Sequence, residues 1–464
     1  MTLIKSISGI RGTIGGQSGE ALTPLDIVKY TSSFGSWILE NQENSSVPLK
    51  IVIGRDARIS GSMVRDLVVS TLIGMGVHVI DLGLSTTPTV EMAVPLENAQ
   101  GGIIITASHN PKQWNALKLL NSQGEFVSES AGLRILELAE LGHTEFANID
   151  HLGELEIKNS YLEIHIQSIL NLPLVQKEAI KKAHFKVVVD AVNSTGGIFV
   201  PALLRALGVS EIIEINCHPD GHFTHNPEPL PGNLLELRDK VISTHSDLGI
   251  AIDPDVDRLV FINEDGSPFG EEYTLVAVSD YILSKELGNT VSNLSSTRAL
   301  QDITEKHGGK YSASAVGEVH VVTKMKETHA VIGGEGNGGV IYPKLHYGRD
   351  ALVGIALFLS HLAEVHLKAS ELRNSYPNYF LSKNKIDLKP GLLVDELLEK
   401  VKEKYKHQPI SEVDGLRIDF EKQWVHLRKS NTEPIIRIYA ESNTEAGAEA
   451  LAGKIIEDIH QIIA

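Results

Sequence analysis

Residues 101–111 read GGIIITASHNP, a glycine and isoleucine run that gives way at once to a hydroxyl-bearing, proline-containing turn. A β-branched run with no polar alternation suits a strand covered on both faces. The same grammar recurs along the chain. KIVIGRD at 50–56, KVVVD at 186–190, LGIAID at 248–253 and AVIGGE at 330–335 are apolar runs that end in Gly or an acid. Amphipathic stretches lie between them, at Ser62–Met75, Gly197–Leu207 and Tyr273–Leu287. Apolar strands alternating with helices predict α/β units with mainly parallel sheets, and the pattern appears three times. Each time the most polar or Gly-rich sequence follows directly on a strand. Open α/β sheets bind their ligands at that end.

The C-terminal part is patterned differently. Gly391–Tyr405 predicts a helix, residues 415–420, 423–427 and 434–441 predict strands, and Ala446–Ile463 predicts a closing helix. This is an α+β module. The expected division is into four domains, 1–152, 153–254, 255–368 and 369–464. No low-complexity linker separates them, so they are expected to pack closely.

Composition narrows the function. Of 464 residues, 42% are hydrophobic and 22% charged, as in an ordinary globular chain. Lys plus Arg number 42 against 59 Asp plus Glu, so the net charge is 42 − 59 = −17. That balance argues against nucleic acid or an anionic membrane as the main partner. Cys217 is the only cysteine, so no intrachain disulfide can form and a reducing compartment is expected. No signal-like N-terminus and no bilayer-length apolar run is present, so the expected location is cytoplasmic.

Four loops carry chemistry-bearing residues. Ser108 follows the GGIII strand with His109 beside it and Lys118 further on. Ser108 could be a nucleophile, although taken alone it reads as a helix cap before an Asn-Pro turn. Asp253, Asp255 and Asp257 alternate along a segment that, if extended, puts all three on one side. Uncompensated, they would raise one another's pKa; a hard divalent cation such as Mg²⁺ removes that cost. Gly333–Gly339 holds five glycines with Glu335 and Asn337, which suits close backbone approach and hydroxyl or amine recognition, or simply a turn. Arg428, Lys429, Ser430, Asn431 and Thr432 concentrate cationic and hydroxyl groups suited to an oxyanion, or make up a polar hairpin turn.

Taken in order, these loops resemble the α-D-phosphohexomutase family across essentially the whole chain. Gly9-Ile10-Arg11-Gly12 and His225-Asn226-Pro227-Glu228-Pro229 also resemble it. The resemblance implies three similar α/β domains with mixed, mainly parallel sheets plus a C-terminal α+β domain, around a central cleft. It implies that Ser108 carries and re-accepts a phosphoryl group and, with Asp253, Asp255 and Asp257, holds Mg²⁺. Arg11, His109, Lys118 and Arg258 match positions beside the reacting phosphoryl group. Glu335, Asn337 and Glu318 match sugar-recognising positions. Arg428, Ser430, Asn431, Thr432 and Arg437 match the grip on the non-reacting phosphate. The implied cycle runs through a hexose 1,6-bisphosphate intermediate, in a monomer or homodimer acting on a sugar phosphate.

Within the family, the sugar and phosphate loops look most like archaeal-type phosphoglucosamine mutases. Mannose/glucose enzymes usually carry Ser where this chain has Asn337, and often His where it has Glu318. Glucosamine phosphate is therefore expected first and mannose/glucose phosphate second. A sugar-phosphate binder without catalysis would not need Ser108 and the aspartates. A metal-dependent phosphatase would leave the Arg428 loop unexplained.

Overall fold

A computed structural model describes residues 2–6, 9–42, 48–142, 144–387, 394–429 and 435–463. The chain forms two compact units, Met1–Thr274 with Gly338–Ser370, and Leu275–Asn337 with Glu371–Ala464.

The first unit opens with a seven-stranded sheet in the order Leu3–Ser6, Gly9–Thr13, Trp114–Leu120, Gly101–Ile105, Lys50–Arg55, His78–Leu84, Leu155–Ile157. The last four run parallel, while the others pair antiparallel. Gly101–Ile105 is buried along its whole length, as an uninterrupted apolar strand in the middle of a sheet must be. Helix Pro24–Glu40 starts at a capping box between Thr23 and Asp26, with proline in its first turn. Together with Gly61–Gly74 and Glu129–Leu141 it packs a core built on Phe34, Ile51, Val68 and Ile103. Helix Thr87–Leu96 comes in unusually close to two strands. A Cβ on Gly54 would lie 2.5 Å from Val90, and one on Gly102 would lie 2.7 Å from Val94. Bare backbone at those two positions sets the height of the helix, and so the place of its first residue, Thr87.

A second sheet follows in the order Leu259–Asn263, Leu248–Ile252, Lys186–Asp190, Glu211–Ile215. It continues past the boundary expected at residue 254, because Leu259–Asn263 turns back antiparallel on Leu248–Ile252 in full register. The remaining pairs are parallel. Helix Ala351–Val365 is apolar almost all round and correspondingly buried, and Asp350 caps it by accepting from Leu352 and Val353 N–H. Phe358 stacks on Phe261 at 3.9 Å and meets Phe269 edge-on at 5.1 Å between ring centres.

In the second unit, Tyr311–Ser314, Asn289–Asn293 and Ala330–Glu335 pair in parallel. An antiparallel sheet follows, in the order Phe380–Asp387, Ile435–Ser442, Trp424–Lys429, Leu416–Asp419, Ile410–Ser411. Helices Val394–Lys404 and Glu445–Ile463 share a core with it, around Leu397, Val425, Ile438 and Ile455. This is the α+β arrangement expected of the C-terminal domain. Among the described residues, no helix is long and apolar enough to cross a membrane.

The three phenylalanines fill one buried volume, so Phe358→Ala should cost about 3–5 kcal/mol of stability. Chemical denaturation should show this as a lowered midpoint, with Phe358→Leu losing much less.

Candidate active site

Asp253, Asp255 and Asp257 do not lie on an extended segment. Pro254 stops the strand, Val256 N–H donates to Asp253 O at 3.1 Å, and Val256 takes a left-handed φ of +65°. The turn folds the three carboxylates inward until an oxygen of each lies within 4.8 Å of the others, all fully buried. Alternation along a strand would have spread them further apart. Asp253 Oδ1 accepts both Asp257 and Arg258 N–H at 3.1 Å.

Three parts of the chain hold this turn in place. Thr87, at the start of its helix, donates its N–H to Asp255 O (2.9 Å) and its hydroxyl to Asp255 Oδ2 (2.6 Å). Ser194 and Thr195 donate to Pro254 O at 2.7 and 3.0 Å. Ala351 N–H donates to Val256 O at 3.1 Å.

Cations enter the cluster, the most distant being Arg258, whose Nε stands 4.0 Å from Asp257 Oδ1. Lys118 Nζ lies 2.6 Å from Asp255 Oδ2 and 3.2 Å from Asp257 Oδ2, and Arg349 Nη2 lies 2.9 Å from Asp257 Oδ2. Burial pushes the Asp255 carboxyl up, but Lys118 and Thr87 outweigh it and hold it below the usual range. For Asp257 burial is likewise outweighed, chiefly by Arg349. At Asp253 the balance goes the other way: burial, then Asp257 and Asp255, drive it well above the usual carboxylate range, and Arg258 and the Ser108 hydroxyl do not outweigh them. The Lys118 ammonium, which burial alone would weaken, is held charged by Asp255 and Asp257.

A divalent cation fits this donor set. Among the described residues, Asp255 Oδ1 and Asp257 Oδ1 are buried and accept no hydrogen bond, and the charge of Arg258 does not outweigh what raises Asp253. Oxygen donors alone, on a short turn, suit Mg²⁺. Asp253, Asp255 and Asp257 would hold it.

Ser108 is not a helix cap. It sits in the left-handed region at φ +48°, and its hydroxyl donates to Asp253 Oδ2 at 2.7 Å, with His109 Nδ1 3.3 Å away. A non-glycine residue in that conformation is strained and needs its surroundings to hold it there. Arg58 does much of that holding. It is fully buried, and its five N–H groups have five acceptors: Asp56 Oδ2 and the backbone carbonyls of Ser108, Asn110, Pro111 and Trp114. Asp56 also receives the Thr106 hydroxyl at 2.6 Å, and Thr106 Oγ1 accepts Ser108 N–H at 2.9 Å.

Arg11 Nη1 donates to Asn110 Oδ1 at 2.7 Å, and Arg258 Nη1 lies 3.5 Å from Glu228 of the His-Asn-Pro-Glu-Pro motif. Burial, reinforced by Arg258 and Arg11, keeps the His109 imidazole well below its ordinary pKa and therefore uncharged. Cys217 stands apart. Burial and the nearby Glu214 and Asp190 push its thiol up to about 12, which leaves it unreactive.

The second unit carries the remaining candidates. Glu335 ends its strand buried, with Oε1 accepting Asn293 Nδ2 (2.8 Å) and Gly317 N–H (3.0 Å). Asn337 Nδ2 reaches Glu335 Oε2 at 3.4 Å, and Gly336 N–H donates to Ser296 Oγ at 2.9 Å. Glu318 is buried in the first turn of helix Glu318–Thr328, directly after Gly317 at φ +117°. Arg428 and Arg437 are opposite each other in antiparallel register. Ser430, Asn431 and Thr432 lie outside the described residues.

Sequence reasoning missed Arg58, Thr87 and Arg349. Arg58 stands just beyond an apolar strand, in the GRDAR run, and Arg349 stands in YGRDA, so a search for cations next to strand ends and acids had both within reach. Thr87 carried no signal, since its partner is 168 residues away.

Replacing Arg58 with Met would strand four carbonyls and a buried Asp56. The expected cost is about 3–5 kcal/mol in denaturant unfolding. Arg58→Lys should recover only part of it, because an ammonium has three donors to offer.

Profiles of the phosphoglucomutase/phosphomannomutase alpha/beta/alpha domains I, II and III match residues 3–144, 163–266 and 270–379, and that of the C-terminal domain matches 389–458. A phosphoglucomutase/phosphomannomutase of Thermococcus kodakarensis is 37% identical, over 96% of this chain and 98% of its own length. A phosphoglucosamine/phosphogalactosamine mutase of Sulfurisphaera tokodaii is 34% identical, with 98% of each chain covered. Among solved structures, a phosphoglucomutase/phosphomannomutase family protein of Burkholderia thailandensis aligns with a TM-score of 0.84 at 26% identity, over 98% of this chain and 96% of that one. With the four domains matched in order and relatives aligned over nearly the full length, the chain belongs to the phosphoglucomutase/phosphomannomutase family.

Proposed function

We propose that this protein is a phosphohexomutase, an isomerase that interconverts a hexose 6-phosphate and a hexose 1-phosphate through a phosphorylated Ser108, with glucosamine phosphate preferred. The observation that carries the reading is the Ser108 hydroxyl, 2.7 Å from Asp253 within the carboxylate cluster. Phosphoryl transfer depends on alignment and charge neutralisation more than on covalent assistance. Bound Mg²⁺ would neutralise charge on the transferring phosphoryl group.

The chain's own residues do the rest. In the first half-reaction a sugar hydroxyl oxygen bonds to the phosphorus on Ser108, the P–Oγ bond breaks, and a hexose 1,6-bisphosphate forms. In the second, Ser108 Oγ attacks the other phosphate of that bisphosphate, and the P–O bond to the sugar breaks. Lys118, tied to two carboxylates, stays an ammonium and offsets phosphoryl charge together with Arg11 and Arg258. His109, uncharged and 3.3 Å from Oγ, takes the hydroxyl proton and returns it.

Glu335, Asn337 and Glu318 recognise the sugar in this reading, with the carboxylates favouring an ammonium substituent. Arg428 and Arg437, with Ser430, Asn431 and Thr432, grip the phosphate that is not transferred. The name of the Sulfurisphaera relative supports glucosamine phosphate, and that of the Thermococcus relative supports mannose and glucose phosphates as the second reading.

A panel of glucosamine, mannose and glucose 6-phosphates, assayed with Mg²⁺ and the matching bisphosphate, should give the highest kcat/KM for glucosamine. A higher value for mannose would reverse the order, and no 6-to-1 interconversion with any of them would end the mutase reading. Intact mass should show a phosphate adduct on the wild type that Ser108→Ala lacks. Calorimetric titration of Asp257→Asn should show Mg²⁺ binding weakened by about 100-fold.

A further inference from the structure

The strand Trp424–Lys429 sends Val425 and Leu427 into the core of its sheet, and leaves His426 and Arg428 on the other face. Arg428 is paired in register with Arg437 on the neighbouring strand. Like charges directly opposite each other repel, so this face favours an anion. Asp414 supplies one: its Oδ2 lies 3.5 Å from Arg428 Nη1. The same oxygen accepts the N–H of Val316 at 3.0 Å. The next N–H along, from Gly317, goes to Glu335 Oε1, and Glu318 follows directly. Two consecutive amides of the turn that presents Glu318 are thus held by two carboxylates, one of which also holds Arg428.

The backbone of Asp414 is fixed as well. His426 Nε2 meets Asp414 O and His426 Nδ1 meets Ser295 Oγ at 2.9 Å. A carbonyl can only accept, so Nε2 carries the hydrogen and Nδ1 accepts from the serine. Burial pushes the His426 imidazole down to about 4, which keeps it in that neutral form. Asp414 therefore stays in place whether or not Arg428 remains on it. The Arg428 contact itself is long and partly exposed, with side-chain exposures of 21% and 22%. Such pairs are weak, whereas a phosphate offers guanidinium two strong acceptors at once.

We propose that Asp414 is a positioning residue with two tasks: an internal counter-anion that Arg428 leaves for substrate phosphate, and the anchor of the Val316–Glu318 turn that selects the sugar. The inference rests on reading Arg428 as a phosphate-binding group. When Arg428 leaves, Asp414 Oδ2 gives its whole accepting capacity to Val316, so arrival of phosphate tightens the turn beside the sugar.

Two variants separate the tasks. Asp414→Asn removes the charge and keeps an acceptor for Val316, whereas Asp414→Ala removes both. Calorimetry with inorganic phosphate should show Asp414→Asn binding about two- to fivefold more tightly than the wild type, the equivalent of one exposed ion pair. A misfolded protein would not gain affinity. The kcat/KM ratio of Asp414→Asn for glucosamine over mannose 6-phosphate should stay near the wild-type value. In Asp414→Ala that ratio should fall by about fivefold or more, through kcat as well as KM. Unchanged or weaker phosphate binding in Asp414→Asn overturns the proposal, and so does an unchanged sugar ratio in a folded Asp414→Ala. Arg428→Gln is the control for the premise. If it leaves phosphate affinity untouched, the phosphate role of Arg428 has failed; if it weakens binding while Asp414→Asn does not tighten it, only the proposal about Asp414 has failed.

Discussion

Three aspartates forced into one buried turn impose the charge balance that the first unit is built around. Carboxylates within 4.8 Å of one another and out of water repel strongly unless cations or hydrogen-bond donors meet them. Lys118 and Arg349 meet two of the three, and the hydroxyls of Thr87 and Ser108 reach the carboxylate oxygens of Asp255 and Asp253. At Asp253 the nearby Arg258 and the Ser108 hydroxyl fall short of what burial and the other two aspartates impose. An apolar replacement for the turn would be easier to fold, so the shortfall makes sense as a binding capacity kept open for a cation.

Much of the surrounding architecture serves to hold that unfavourable arrangement still. Helix Thr87–Leu96 delivers Thr87 only because Gly54 and Gly102 let it ride low on the sheet. Asp350 caps helix Ala351–Val365 and also receives His165 Nε2 at 2.9 Å and His346 Nε2 at 3.3 Å. Arg349 and Ala351, on either side of it, are thereby fixed against Asp257 and Val256. Ser108 and Val256 are both non-glycine residues held left-handed, each at a cost of about 1–3 kcal/mol. Both sit at the carboxylate cluster, Ser108 with its hydroxyl on Asp253 and Val256 between Asp255 and Asp257.

What the sequence disclosed follows physical range. The strands were legible because burial on both faces writes itself into consecutive residues, as in GGIII and KIVIG. The aspartates were legible because their spacing is local. Their convergence was not, since it depends on a backbone turn at Val256, a residue type that rarely adopts one. The second sheet's extension past 254 was hidden for a similar reason: Leu259–Asn263 is apolar enough to belong to either neighbour, and pairing decides. Arg349 and Thr87 act on partners 92 and 168 residues away, a separation that a linear pattern does not encode. Local reading of Ser108 favoured a helix cap, whereas its left-handed backbone is held by Arg58, fifty residues away, which no local pattern encodes.

Arg58 grips the Ser108 loop almost entirely by main-chain carbonyls, at Ser108, Asn110, Pro111 and Trp114. Every amino acid offers the same carbonyl. The side chains of Lys112 and Gln113, which are exposed, take no part in the grip. Substitutions at those two positions would therefore leave the grip intact, while the arginine that reads neither of them has no substitute with five donors. The loop's shape is thus written in one arginine rather than in the loop's own exposed side chains.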